Sequence, residues 1–170
     1  MKSIFLALSF LFVGLMAGNV DDAQAKGPAD KATGYVLGAP TDHPFWWHSF
    51  DFAAHEKGDA PGGKGFVRHF RLDTDGVTPI REEFCPIVYA MVYDDEAWFS
   101  GPIIYDSDHA DPTRWMVIHV LDGGQPGKGN DMLQWQRVEN ELAALDYLAG
   151  EEDDYKDYAI VKGNVRVHTK

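Results

Sequence analysis

PIVYAMVYDDEAWFSGPIIY, residues 86–105, holds two apolar runs with only Asp94 and Asp95 between them. Two residues suffice for a tight hairpin, whereas a crossover to a parallel strand needs a dozen or more. Aspartate tolerates the left-handed backbone of such a turn better than most residues. The stretch therefore predicts two consecutive antiparallel strands. The first run is apolar at odd and even positions alike, so its strand needs cover on both faces.

The pattern repeats on either side. RWMVIHVL (114–121) is again apolar on both faces, and AIVKGNVRVH (159–168) reads as a last strand with a turn or bulge at Gly163-Asn164. Upstream, WWHSFDFAA (46–54) places Trp46, His48, Phe50 and Phe52 on one face at period two. GFVRHFRL (65–72) sets Phe66, Phe70 and Leu72 against Val67, His69 and Arg71. Turn-forming clusters separate these pieces: EKGDAPGGK (56–64), DTDG (73–76) and DSDHADP (106–112).

One segment has a different period. QRVENELAALDYLA (136–149) spaces Val138, Leu142, Leu145 and Ala149 as a helix does, and Gly150 follows as a C-terminal stop. Asp131 and Gln134 have capping-box spacing, which allows an earlier start. Together the elements predict a mainly β chain: a single antiparallel β-barrel or β-sandwich with one α-helix in its C-terminal half. The helix can cover one strand that is apolar on both faces. A second copy, in a homodimer, can cover another.

The N-terminus reads as an export signal. Lys2 precedes an apolar run over residues 4–17, and Ala23-Gln24-Ala25 fits the small-x-small cleavage rule. The run is shorter than the roughly 20 residues of a spanning helix. The expected organisation is a signal over 1–25, a flexible lead-in over 26–33 and one β-rich domain over 34–170. The expected location is secreted or periplasmic, with no membrane insertion after cleavage. The lone Cys85 sits between Phe84 and Pro86 and reads as a buried, inert thiol, so packing rather than a disulfide must hold the domain. With 15 basic and 27 acidic residues the net charge is −12, which argues against nucleic acid as a partner.

Three groups of residues could carry chemistry. DGGQPGKGND (122–131) lacks the hydroxyl that should follow the lysine of a phosphate-binding loop, since Gly129 follows Lys128. Its Asp122, Asn130 and Asp131 could offer oxygen ligands to calcium, though fewer than the six to eight that calcium takes. A turn whose glycines take special backbone angles explains the composition without a ligand. The histidines are the second group: His48 shares a face with aromatic residues, and a barrel interior could bring it near His69 or His119, a set that could hold zinc. The third is the aromatic run Phe45-Trp46-Trp47, which could line a ligand mouth. Ser49 and Ser100 lack the surroundings of a nucleophile elbow.

AWFSG from Ala97, the run WMVIHVLDGGQPGKGND, and the closing GNVRVH resemble the post-COAP-type domain of secreted bacterial proteins. The matching features are Phe99 and Gly101, the loop over 122–131, and Gly163 to His168. The resemblance implies a secreted β-domain and implies no reaction, so no catalytic residue is carried over from it.

The expectation for function is an exported, non-enzymatic β-domain that binds a small apolar ligand or a surface protein, with Trp46, His48, His69 and His119 as ligand-binding residues. Two alternatives stand beside it. One is a small β-barrel enzyme of isomerase or cyclase type. The other is a calcium-stabilised surface or matrix module, with no other cofactor expected.

Overall fold

β4 (Pro79–Tyr93) and β5 (Glu96–Pro102) form the hairpin expected over residues 86–105, in register from Tyr89 opposite Ser100 to Tyr93 opposite Glu96. Asp94 makes the turn with φ 46°, in the left-handed region. The computed structural model describes residues 30–57, 61–108, 114–124, 130–150 and 156–169. The expected signal over 1–25 and its cleavage site lie outside the described residues.

The other strands are β1 (Lys31–Pro40), β2 (His48–Glu56), β3 (Gly62–Leu72), β6 (Tyr105–Asp106), β7 (Trp115–Leu121), β8 (Met132–Val138) and β9 (Lys156–His168), with one helix, α1 (Glu141–Leu148). They form one antiparallel sheet in the order β3-β2-β1-β9-β8-β7-β5-β4-β6, and β3 pairs again with β4. That last pairing brings the sheet round on itself, so the architecture is a barrel rather than a sandwich. The two-residue β6 adds to the start of β4. β1 begins at Lys31, so part of the expected lead-in over 26–33 is already strand.

Alternation along each strand fills the interior. Val36, Phe50, Phe52, Val67, Cys85, Ile87, Phe99, Ile118 and Leu133 are all buried in one core. Fully burying such a side chain contributes roughly 1.5–3 kcal/mol, which accounts for stability without a disulfide; Cys85 is free and buried. Gly101 is needed where β5 crosses β4, because a Cβ there would lie 1.8 Å from the Pro86 carbonyl oxygen. Gly163, at φ 130°, is close to the point where the β1–β9 register shifts, as the expected bulge requires.

The helix covers the outside of the barrel. Ala144, Tyr147 and Leu148 pack with Val117 and Val138, and Tyr89, Met91, Trp98 and Trp115 surround them. This is the cover that the double-faced apolar strands demand. The helix is shorter than the spacing over 136–149 suggested. Residues 136–138 belong to β8, whose pairing with β7 runs from Leu121–Met132 to Trp115–Val138. The sheet hydrogen bonds outweigh a helical periodicity that rests on Val138. Asn140 is the N-cap, accepting the Ala143 N–H at 3.0 Å, and Gly150 follows the helix at φ 75°.

Candidate functional site at the barrel mouth

Strand direction places one set of chain segments at a single open end. β1 and β3 finish there, β2 and β4 begin there, and β8 finishes beside them. The cleft at this end is about 250 Å³. Pro40, Asp42, His43 and Trp46 from the β1–β2 connection form one wall, and Trp135, Gln136 and Arg137 from β8 form another. His48, Arg71, Arg81 and Arg114 complete the lining.

Beneath the cleft lies a buried polar chain. His69 stands directly opposite Glu83 in the β3–β4 register, and His48 lies diagonal to His69 across β2–β3. His48 Nδ1 is 2.7 Å from His69 Nε2, and His69 Nδ1 is 2.7 Å from Glu83 Oε2. Arg137 reaches in from β8 and donates through Nε and Nη2 to the two Glu83 oxygens, each at 2.9 Å. Arg81 Nη2 adds a contact to Glu83 at 3.1 Å and pairs with Asp106. His69 and Glu83 are fully shielded from solvent.

The titration behaviour follows from these contacts. Burial raises the Glu83 carboxyl, but the hydrogen bonds from His69 and Arg137 and their charges outweigh it and hold the group at about 2. Burial lowers His69 despite the hydrogen bond and charge of Glu83. Burial also lowers His48, helped by His69, Arg71 and Arg137, to about 3. At neutral pH the chain is thus an ionised carboxylate and two neutral imidazoles.

Aromatic and cationic groups alternate round the mouth. The His43 ring stacks on Trp46 at 4.3 Å, and the Arg71 guanidinium stands 5.1 Å from the centre of a Trp46 ring. Arg137 lies 4.8 Å over Trp135, whose ring packs 4.6 Å from His69. Arg71 has no ion pair with a carboxylate among the described residues.

Of the four sequence-expected ligand residues, Trp46 and His48 line this cleft and His69 lies behind His48. His119 is elsewhere. It faces outward on β7, stacks on Trp98 at 4.3 Å, and hydrogen-bonds Gln134 and Glu96. Trp46 precedes β2 rather than sharing its inner face, and its ring is half exposed. No group of three or more His, Cys, Asp or Glu side chains is placed to hold a metal among the described residues.

Residues 122–124 and 130–131, the described ends of the loop over 122–131, are at the opposite end of the barrel, since β7 runs away from the mouth; Lys128 and its neighbours over 125–129 lie outside the described residues. Asp131 accepts the Gly123 N–H at 3.0 Å through Oδ1 and the Val165 N–H at 2.8 Å through Oδ2. Asp122 accepts the Gly124 N–H at 2.8 Å and the Val167 N–H at 3.0 Å. Asn130 packs against Gly123, where an added Cβ would lie 2.3 Å from the asparagine Cβ. These carboxylates tie the loop ends to β9.

Glu83, Arg71, Arg81 and Arg137 were absent from the sequence-level candidates. A signal existed: Arg81, Glu83 and Cys85 share one strand face, as do Val67, His69 and Arg71. Charged residues at those positions read as a polar strand end until the barrel brings them together. No protein-family profile matches the chain, and no significant match to a curated protein or a solved structure is found.

Proposed function

We propose that the chain is an exported protein, secreted or periplasmic, whose barrel mouth binds a small organic anion with an apolar, planar body. One observation carries the reading: Arg71 projects into a concave, aromatic-walled cleft and stacks on Trp46 without a carboxylate partner among the described residues. In a chain of net charge −12, abundant carboxylates are at hand to pair surface arginines. An arginine held on an aromatic ring instead presents donors for a carboxylate or phosphate. Arg81, Arg114, Arg137 and Asp42 line the same cleft, and Glu83 and Asp106 offset the charges of Arg81 and Arg137, so the anion reading rests on Arg71. Trp46 and Trp135 supply the apolar area that a small ligand needs, which keeps the aromatic part of the sequence expectation and adds a charge to it.

Binding fits the site better than proton transfer. A general base works best with a pKa near the operating pH. His48, lowered to about 3, is a poor base at neutral pH. The resemblance to post-COAP-type domains, which implies no reaction, agrees with a binding role.

Titration with phenylacetate, followed by tryptophan fluorescence, tests the reading. Saturable quenching that weakens with added salt is the expected result. Arg71→Gln should reduce affinity by about tenfold or more, the scale of one charge-assisted hydrogen bond. Arg68→Gln is the control, because Arg68 pairs with Glu82 on the outer face. Equal effects of the two substitutions would remove Arg71 from the site.

A further inference from the structure

The helix α1 covers the outer wall over β5 and β7, and the outer wall over β1, β2, β3 and the first half of β4 has no such cover among the described residues. One row of side chains crosses that wall. Tyr35 on β1 stands opposite Asp51 on β2, Asp51 opposite Arg68 on β3, and Arg68 opposite Phe84 on β4. Their chain neighbours Val36, Phe50, Phe52, Val67 and Cys85 are in the core, so alternation turns all four outward. Tyr35, Asp51 and Arg68 are exposed, and Phe84 is half-buried.

The row is complementary to itself: an aromatic and an acid, then a base and an aromatic. A two-fold axis along the seam between β2 and β3 sets Asp51 of one copy over Arg68 of the other, and Arg68 over Asp51. The same rotation sets Tyr35 over Phe84 at both flanks, where the barrel wall curves away and long side chains are needed to fill the gap. Phe84 lies in a shallow groove of about 480 Å³ that Asp51, Phe66, Arg68, Glu82 and Tyr105 also line, with room for a phenol ring. The charges are available for the exchange. The Asp51 carboxylate has no hydrogen bond or ion pair among the described residues. Arg68 donates to Glu82 through Nε at 2.8 Å, which leaves its terminal nitrogens for a second carboxylate. A chain of net charge −12 repels its own copies, so a dimer of it requires a contact where opposite charges meet.

We propose that this face is the contact of a homodimer, with two Asp51–Arg68 pairs exchanged across the axis and Tyr35 of each copy seated in the Phe66–Phe84 groove of the other. The partner then gives this wall the cover that α1 gives to β5 and β7. None of Tyr35, Asp51, Arg68 and Phe84 lines the anion cleft, so the dimer and the anion reading stand or fall separately.

Sedimentation equilibrium of the purified protein at about 100 µM, the range of a weak dimer, should give twice the mass of one chain. Tyr35→Ala should raise the dissociation constant by about thirtyfold or more, the scale of an aromatic interface anchor. Asp51→Arg and Arg68→Glu should each be monomeric alone, since each sets like charges against one another across the axis. An equal mixture of these two variants should form dimers again. The introduced arginine of one then faces the introduced glutamate of the other, and the unchanged Arg68 faces the unchanged Asp51. Tyr35 and Asp51 are exposed, so Tyr35→Ala and Asp51→Arg decide the matter should Arg68→Glu not fold. A wild-type protein that is monomeric at this concentration overturns the proposal and leaves the face to a different protein. A dimer that survives both Tyr35→Ala and Asp51→Arg, or a mixture of the folded charge variants that stays monomeric, overturns it as well.

Discussion

His69 Nδ1 lies 2.7 Å from Glu83 Oε2, and neither side chain reaches solvent. A buried carboxylate is tolerated only where charge and hydrogen bonds surround it, and Glu83 has Arg137, Arg81 and His69. Removing it strands Arg137 and leaves His69 Nδ1–H without its acceptor. Glu83→Ala should therefore cost about 3–5 kcal/mol, the scale of breaking a buried pair. Urea denaturation measures it, and a loss under about 1 kcal/mol would show that the cluster adds little to the fold.

The same cluster sets a pH dependence. Native His48 is lowered to about 3 and native His69 is also lowered, whereas unfolded histidine titrates near 6.5. Below pH 6.5 the unfolded chain binds protons that the native chain refuses, so stability falls with pH. Each such histidine costs up to about 1.4 kcal/mol per pH unit down to its folded pKa. Glu83, held at about 2 against an ordinary value of 4.5, adds a further loss below pH 4.5. The urea midpoint should decline from pH 6.5 toward pH 4, and His48→Leu should flatten that decline even while lowering the midpoint. A midpoint that stays constant across this range would contradict neutral buried histidines.

Ser100 is buried on the β5 face turned toward the helix, and its Oγ has no hydrogen-bond partner among the described residues. An unsatisfied buried hydroxyl costs roughly 1–3 kcal/mol. Ser100→Ala should leave the melting temperature unchanged or raise it. A marked fall would mean that the hydroxyl is satisfied.

Cys85 is fully buried, and burial together with the nearby Glu83 charge pushes its thiol up to about 12. The nucleophile in thiol chemistry is the thiolate. A disulfide reagent should thus label the folded protein only as fast as it opens, and full labelling should require denaturant. Rapid stoichiometric labelling under native conditions would contradict the burial.

Much of the fold is legible in the chain. The two-residue gap at Asp94-Asp95 and the period-two runs specify a meander of antiparallel strands, and the double-faced apolar strands call for a cover that α1 supplies. Closure was not legible, because the meander closes where β1 pairs with β9, two segments at opposite ends of the described chain; nor was the inward turn of Arg81 and Glu83, polar positions that resemble a solvated strand end. Those positions lie at and beneath the candidate cleft. Trp46 and His48 could be read from aromatic patterning. Glu83 and Arg137 could not, since 54 positions separate them and only barrel curvature brings them within hydrogen-bond distance. His119 misled for the same reason: alternation alone does not say which face of β7 is the inside.

The loop over 122–131 gives the final prediction. Its composition raised the choice between a metal site and a turn, and Asp131 bears on that choice. Both of its oxygens accept backbone N–H groups, one from Gly123 within the loop and one from Val165 on β9. Asp122 does the same for Gly124 and Val167. Hydrogen bonds to charged groups contribute about 1.5–3 kcal/mol each, less where solvent reaches them. Asp131→Ala loses two and leaves two backbone donors unmet, so it should cost about 2–4 kcal/mol, and Asp131→Asn, which can still accept one, should cost less. The loss should be the same with calcium or with a chelator present. A melting temperature that rises with calcium in the wild type, and no longer does so in Asp131→Ala, would show instead that the loop holds the ion, since a ligand that binds the native state stabilises it in proportion to the logarithm of its concentration.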